Sequence, residues 1–165
     1  GWNTMMVDDK WVPTFPNARY LIGQAEWDHW HAHSSPNRRG DDCFSDSVKP
    51  VFDAGLVDFV ASDAEICDEV RLEPTPGHTP GHVSVRISSK GEEALITGDV
   101  MHHPCQMARP DWVSSADTDS TAARATREKL LDQYADTPVL VIGTHFATPT
   151  AGHIRRDGKV YRFEV

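Results

Sequence analysis

The chain has 165 residues, of which 39% are hydrophobic and 25% charged, enough apolar sequence for one folded domain with a substantial core. Its formal net charge of −9 argues against general binding of nucleic acid or anionic membranes, because both reward clustered Lys and Arg. The apolar runs fall far short of the about 20 residues that a membrane span needs, and three widely spaced cysteines favour a reducing, cytoplasmic location.

The first third of the chain predicts one strand and two helices. In chain order these are strand Ala18–Ile22, helix Gln24–His33 and helix Asp41–Leu56. Residues 1–16 mix aromatic with turn-forming side chains, which predicts extended or looping chain rather than a helix. Pro50 lies inside the second helical pattern, so this helix is expected to begin or to kink there.

The rest of the chain alternates strands with a loop and a helix. The predicted strands are Val57–Val60, Ala64–Leu72, His82–Ser88, Ala94–Thr97, Val139–Ile142 and Lys159–Val165. Met101–Ser115 is expected to be a loop, and a helix is predicted over Thr121–Tyr134, with its apolar side at Ala122, Ala125, Leu130 and Leu131. This order of elements predicts an α/β fold in which a mixed sheet carries helices on one face.

The segment Pro74–His82 reads PTPGHTPGH and is rich in Pro, Gly and His. Proline lacks a backbone donor and glycine loses extra entropy in regular structure, so this segment is predicted to be a turn between two strands. A turn of this kind can hold an imidazole in one place, and a neutral histidine is the commonest metal ligand. Isolated histidines in a surface turn are the competing interpretation.

Two later strand predictions end in the same manner. The apolar run at Ala94–Thr97 is followed by Gly98 and Asp99, and the run at Val139–Ile142 is followed by Gly143, Thr144 and His145. Three strand ends therefore present His78, Asp99 and His145. This donor set suits Zn²⁺ best, with Mn²⁺, Fe²⁺ or Co²⁺ as possible alternatives.

These segments resemble the later metal-binding motifs of the metallo-β-lactamase fold hydrolases. The segments are Thr75–His82, Thr97-Gly98-Asp99 and Gly143-Thr144-His145. Two further segments, Val100–Pro104 and Thr144–Gly152, are similar to the branch of the family that contains lactonases and organophosphate hydrolases. The resemblance implies that His78 binds one metal ion, that His145 binds the other, and that Asp99 bridges the two as the catalytic carboxylate.

The resemblance also has a gap. Members of this family carry an earlier His-x-His-x-Asp-His motif, which this sequence lacks, and the stretch Gly1–Thr4 is similar to the segment that follows that motif. The chain is therefore expected to form a single truncated domain over residues 1–165, equivalent to half of the family's αββα sandwich. An open apolar sheet face in such a half predicts association, with another copy or with a missing N-terminal half.

Other histidines are weaker candidates for the site. In the run Asp28–His33, a helix would bring His29 and His33 together as possible additional metal ligands, although a polar helix surface is the favoured explanation. The resemblance suggests that His102 and His103 line a pocket or support the ligands, with ordinary loop polarity as the alternative. For His82, hydrogen bonding within the turn is favoured over metal binding.

The resulting functional hypothesis is a metal-dependent hydrolase acting on a small-molecule substrate. A metal-activated hydroxide would cleave an ester, lactone or phosphoester bond, and oligomerisation would complete the site. The alternative hypothesis is a non-catalytic fragment that retains the motifs for metal binding or for interaction with another protein.

Overall fold

The computed structural model describes residues 2–33 and 43–165. The chain divides into two compact units, one extending to Ala61 and the other covering Ser62–Val165. The expectation of a single domain over residues 1–165 stays a prediction.

The first unit contains two small sheets and two helices. Its elements are β1 (Thr4–Val7), β2 (Lys10–Pro13), β3 (Tyr20–Gly23), α1 (Gln24–His33), a π-helical turn (Phe44–Val48), α2 (Lys49–Asp53) and β4 (Val57–Val60). Strands β1 and β2 pair antiparallel, whereas β3 and β4 pair in parallel. The β1–β2 hairpin was not predicted; Asp8 and Asp9 close it with φ angles of 48° and 59°, as in the mirror-image turns that hairpins favour.

The two helix predictions in this unit have different outcomes. Helix α1 has the predicted bounds, Gln24–His33. The predicted helix Asp41–Leu56 begins outside the described residues, since Asp41 and Asp42 are not among them. Its described part is shorter than predicted, and α2 starts at Lys49 with Pro50 in its first turn, where a missing N–H costs no helical hydrogen bond.

The second unit is built on a seven-stranded sheet. Its elements are β5 (Glu65–Cys67), β6 (Val70–Pro74), β7 (Val83–Ser89), β8 (Glu92–Ile96), a 3₁₀ turn (Gly98–Val100), α3 (Cys105–Ala108), α4 (Ser120–Tyr134), β9 (Leu140–Ile142), β10 (Ala151–Asp157) and β11 (Val160–Glu164). The strand order is β11-β10-β9-β8-β7-β6-β5, with β8 and β9 parallel and the other neighbours antiparallel. The predicted α/β class with a mixed sheet is confirmed.

Helix α4 packs on the sheet through one side. Its buried residues are Ala123, Arg127, Leu130, Leu131 and Tyr134, which recur at helical spacing. Three of them, Leu130, Leu131 and Tyr134, join a core that includes Leu95 of β8, Val141 of β9 and Ile154 of β10. The predicted apolar side was correct at Leu130 and Leu131, but Ala122 and Ala125 are not buried.

Three segments of the second unit differ from the sequence prediction. The single strand predicted over Ala64–Leu72 is a hairpin, in which β5 and β6 pair antiparallel. Strand β10 was not predicted, because its sequence AGHIRRD contains one β-branched residue and a glycine, which give a weak strand pattern. The predicted loop Met101–Ser115 contains the short helix α3, which begins directly after Pro104. Within the described residues, the helices are too short or too polar to cross a lipid bilayer.

Candidate metal centre

The turn predicted from Pro74–His82 connects β6 to β7 and is closed by its own backbone. The amide of Thr75 donates to the carbonyl of His82 at 2.9 Å, and the amide of Gly77 donates to the carbonyl of Thr79 at 3.0 Å. Gly77 has a φ of 132°, and a Cβ at this position would lie 2.2 Å from the amide nitrogen of Ala123. Glycine therefore lets the turn lie directly against the first turn of α4.

His78 is held from two sides. Its carbonyl accepts hydrogen bonds from the amide and the hydroxyl of Thr118, each at 2.8 Å. Its ring Nδ1 lies 3.2 Å from Oδ1 of Asp117, and its Nε2 lies 3.4 Å from Oδ2 of Asp99. The imidazole thus stands between two carboxylates, with 14% of its side chain exposed.

Asp99 follows β8 in the 3₁₀ turn Gly98–Val100. Gly98 has a φ of 57°, and a Cβ there would come within 2.7 Å of Nε2 of His82, so the turn requires glycine for conformation and for space. The two carboxylate oxygens of Asp99 point to different histidines, because Oδ2 faces His78 and Oδ1 lies 3.1 Å from Nε2 of His145.

His145 reaches Asp99 because of the sheet topology. Strands β8 and β9 are parallel neighbours, so their carboxyl ends, which precede Asp99 and His145, meet at the same edge. The amide of Thr144 donates to the hydroxyl of Thr97 at 3.3 Å, which ties the two strand ends together. The structure therefore brings together the three side chains that the sequence pattern singled out.

His82 connects the turn to the strand end that carries Asp99. The amide of Asp99 donates to Nε2 of His82 at 2.8 Å. Because Nε2 accepts, Nδ1 carries the ring proton, and it lies 3.1 Å from the carbonyl oxygen of Thr75. This is the hydrogen bonding within the turn that the sequence favoured for His82.

His102 lies beside the same cluster. Its ring stacks on that of His145 at a centroid distance of 4.8 Å, and potential ligand atoms of His78, Asp99 and His102 lie within 4.8 Å of one another. Burial lowers the pKa of His102, and the neighbouring His145 and His78 lower it further. Nδ1 of His102 is buried and has no hydrogen-bond partner in the part of the chain that the structure describes.

The remaining predicted histidines make other contacts. His103 is exposed, and its Nδ1 accepts from the amide of Cys105 at the start of α3, at 3.1 Å. His29 and His33 belong to α1 in the first unit; their ring centroids are 4.5 Å apart, and Nδ1 of His33 lies 2.6 Å from the carbonyl oxygen of His29. A metal-binding role for His29 and His33 stays a prediction.

Sequence reasoning missed Asp117 and Arg127. Asp117 is not the cap of α4, because Asp119 takes that role and accepts from the amides of Thr121 and Ala122. Burial by itself raises the pKa of Asp117, but hydrogen bonds from Ser114 and His78 and the charge of Arg127 hold this pKa below its ordinary value. An aspartate two residues before a helix cap, within a loop rich in His and Asp, was the available signal.

Comparison with known proteins agrees with the fold. The sequence model of the metallo-beta-lactamase superfamily matches residues 13–158. The chain therefore belongs to the metallo-β-lactamase superfamily. No curated protein matches the chain.

Several solved structures share the fold. One is AidC, a dizinc quorum-quenching lactonase in complex with a product, N-hexnoyl-L-homoserine, with 26% identity, a TM-score of 0.73, and coverage of 92% of this chain and 55% of that chain. Another is the hydrolase AbOPH of the beta lactamase superfamily, with 24% identity, a TM-score of 0.77, and coverage of 93% and 57%. A third is an N-acyl homoserine lactone hydrolase with N-hexanoyl-L-homoserine bound at its catalytic metal center, with 19% identity, a TM-score of 0.61, and coverage of 82% and 50%.

The chain thus spans about half the length of the solved structures that it matches. The likeness at 24% and 19% identity concerns the fold alone.

Proposed function

We propose that the chain forms part of a metal-dependent hydrolase in which His78, Asp99 and His145 bind divalent metal. The position of the Asp99 carboxylate between two imidazoles carries this proposal. Two ligand atoms bound tetrahedrally at about 2.1 Å from Zn²⁺ are about 3.4 Å apart. The separations of 3.4 Å from Asp99 to His78 and 3.1 Å from Asp99 to His145 agree with that spacing.

The donor set also fits the metal. Imidazole and carboxylate suit Zn²⁺, and they accept Mn²⁺, Fe²⁺ and Co²⁺. His102 adds a neutral imidazole whose buried Nδ1 has no partner among the described residues. One ring nitrogen of His102 lies within 4.8 Å of ligand atoms of His78 and Asp99, so His102 is a further candidate ligand at the cluster.

Some residues of this chain would bind the metal ion, and others would orient those ligands. Bound Zn²⁺ supplies Lewis-acid polarisation of the scissile group and lowers the pKa of water. The Asp99 charge offsets the charge of the ion, and each of its oxygens serves a different histidine. His82 keeps the Asp99 turn in register with the His78 turn through the hydrogen bond to the Asp99 amide.

The proposed substrates are small molecules with an ester, lactone or phosphoester bond. The likeness to AidC, which is described as a dizinc lactonase, favours a lactone as the first substrate to test and zinc as the first metal. The side chain of His145 is 45% exposed, so a small molecule can reach the cluster.

We further propose that a second copy of the chain completes the site. An apolar row crosses β6, β7, β8 and β9 through Leu72, Val85, Ile96 and Ile142, which are half-buried, and Leu140 beside it is 37% exposed. Covering several hundred Å² of apolar surface would contribute roughly 10 kcal/mol at about 25 cal/mol per Å². Light scattering after size exclusion should give a multiple of 18.4 kDa, and a stable monomer would contradict the assembly.

One experiment tests the proposed function. The purified chain is loaded with Zn²⁺, its metal content is measured, and hydrolysis of an N-acyl homoserine lactone and of a phosphotriester is followed. We expect bound metal and hydrolysis that both disappear in H78A, D99A and H145A. Bound metal without hydrolysis would favour the non-catalytic metal-binding fragment. Absence of bound metal would overturn the proposal.

A further inference from the structure

Arg127 is an unusual residue for the inner side of α4. Its side chain is 0% exposed, among the leucines that α4 presents to the sheet. Its Nε donates to the carbonyl of Pro110 at 3.2 Å, and its Nη1 donates to the carbonyl of Val100 at 3.3 Å. Removing a guanidinium from water costs several kcal/mol, and an apolar residue of similar size often serves the fold as well. Core packing alone therefore does not account for an arginine here.

The ion-pair partner of Arg127 contacts a residue of the candidate metal centre. Nη1 of Arg127 lies 3.4 Å from Oδ2 of Asp117, whose side chain is also 0% exposed. The same oxygen accepts a hydrogen bond from the amide of Ser114 at 3.0 Å, which helps to hold the carboxylate in place. The other oxygen, Oδ1, lies 3.2 Å from Nδ1 of His78. A buried cation, a buried anion and a cluster imidazole thus form a continuous chain of contacts.

This chain of contacts selects one form of His78. A carboxylate only accepts hydrogen bonds, so a bond to Asp117 requires the proton of His78 on Nδ1. The lone pair of His78 is then on Nε2, which faces Asp99. Carboxylates that accept from the outer nitrogen of a metal-binding histidine fix its tautomer and its ring orientation.

We propose that Asp117 and Arg127 are positioning residues that fix His78 with its proton on Nδ1 and its Nε2 lone pair directed at the metal. The role in metal binding rests on the proposed function, whereas the effect on the His78 tautomer does not. In this arrangement Arg127 holds Asp117 in place and offsets its charge, and Asp117 holds the imidazole.

The first measurement needs no metal. Long-range ¹H–¹⁵N NMR of the full 165-residue chain reports which nitrogen of His78 carries the proton. The measurement uses D99A at alkaline pH, because the Asp99 carboxylate, 3.4 Å from Nε2, would otherwise favour a proton on that nitrogen as well. We expect the Nδ1–H form in D99A and a mixture of tautomers in D99A/D117N, whose amide can also donate. D99A/D111N is the matched control, because Asp111 is a partly exposed carboxylate paired with Arg109 on the surface. An unchanged His78 tautomer in folded D99A/D117N would overturn the proposal.

The second measurement uses Co²⁺, with affinity read by competition with a chromophoric chelator and geometry read from the visible spectrum. We expect D117N to lower the affinity by about 10- to 100-fold and to alter the spectrum, as loss of an outer hydrogen-bond partner does. R127M should act in the same direction, with partial recovery in R127K. R124M is the control on the same helix, because Arg124 is exposed and pairs with Glu128.

The outcomes separate the two proposals. D117N and R127K that bind Co²⁺ with wild-type affinity and spectrum would overturn the positioning role, even if R127M fails to fold. A wild-type chain that binds no Co²⁺ would overturn the proposed function, while the tautomer measurement would still decide what Asp117 does to His78.

Discussion

The molecule has two groups of histidines, and they differ in how firmly each ring is held. His78, His102 and His145 surround Asp99 at the strand ends of the second unit, with imidazole–carboxylate separations of 3.4 and 3.1 Å for His78 and His145. His29 and His33 lie on α1 in the first unit, where His33 is exposed and contacts a carbonyl of its own helix. Convergence of strand ends therefore supplies a carboxylate that two imidazoles share, whereas a metal-binding role for His29 and His33 stays a prediction.

The largest expected effect follows from replacing Asp99, the carboxylate that His78 and His145 share. We expect D99A to lower the affinity for Zn²⁺ by more than about 100-fold, beyond the loss typical of an outer hydrogen-bond partner, because both His78 and His145 lose their shared carboxylate. Metal analysis after dialysis against a weak chelator measures this change. D68A, which removes an exposed carboxylate from the same unit, should retain wild-type metal content.

A second prediction concerns the space beside Asp99. We expect G98A to destabilise the fold by about 2–4 kcal/mol, because it combines a positive φ with a contact of 2.7 Å to His82. Urea unfolding measures the loss. G158A is the matched control: its φ is 61° and its new Cβ meets open space, so its cost should be about 1 kcal/mol. Equal losses in the two variants would contradict the steric argument.

His82 offers a smaller effect on stability. H82A removes the acceptor for the Asp99 amide and the ring that lies between the two loops. We expect a loss of about 1–3 kcal/mol, the usual cost of leaving buried polar groups without partners. Thermal and urea unfolding measure it. A change in metal affinity without a change in stability would instead make His82 a ligand.

The smallest expected effect belongs to α1. The double variant H29A/H33A should keep the metal content of the wild type, because the His33 ring is exposed and its Nδ1 already contacts the carbonyl of His29. Metal analysis under the conditions used for D99A provides the comparison. A loss of one equivalent of metal would transfer His29 and His33 to the group of metal ligands.

Much of the architecture could be predicted because local patterns were strong. Helix α1 has its predicted bounds, and the turn Pro74–His82 follows from its Pro and Gly content. Strand β10 could not be predicted, since it is fixed by pairing with β9 and β11 rather than by its own alternation. Sequence patterns describe what a segment prefers alone, and β10 depends on its neighbours.

The same distinction between local signals and long-range contacts applies to the residues of the candidate site. His78, Asp99 and His145 each follow a recognisable strand or turn, so their types and places suggested a common function. Asp117 and Arg127 have no such local signal, because their importance comes from contacts with residues distant in sequence. Sequence patterns place an arginine on the exposed side of a helix, whereas Arg127 is fully buried.

The parallel pairing of β8 and β9 has a consequence for the order of folding. Parallel neighbours need a crossover connection, and here α3 and α4 lie between the two strands in the chain. Closing so long a connection carries an entropy cost before any contact between the strands rewards it. We therefore expect Asp99 and His145 to meet late, after α4 has docked, so that contact between them would report complete folding. Pulsed hydrogen exchange should detect protection of the antiparallel β6–β7 hairpin before protection of the β8–β9 junction.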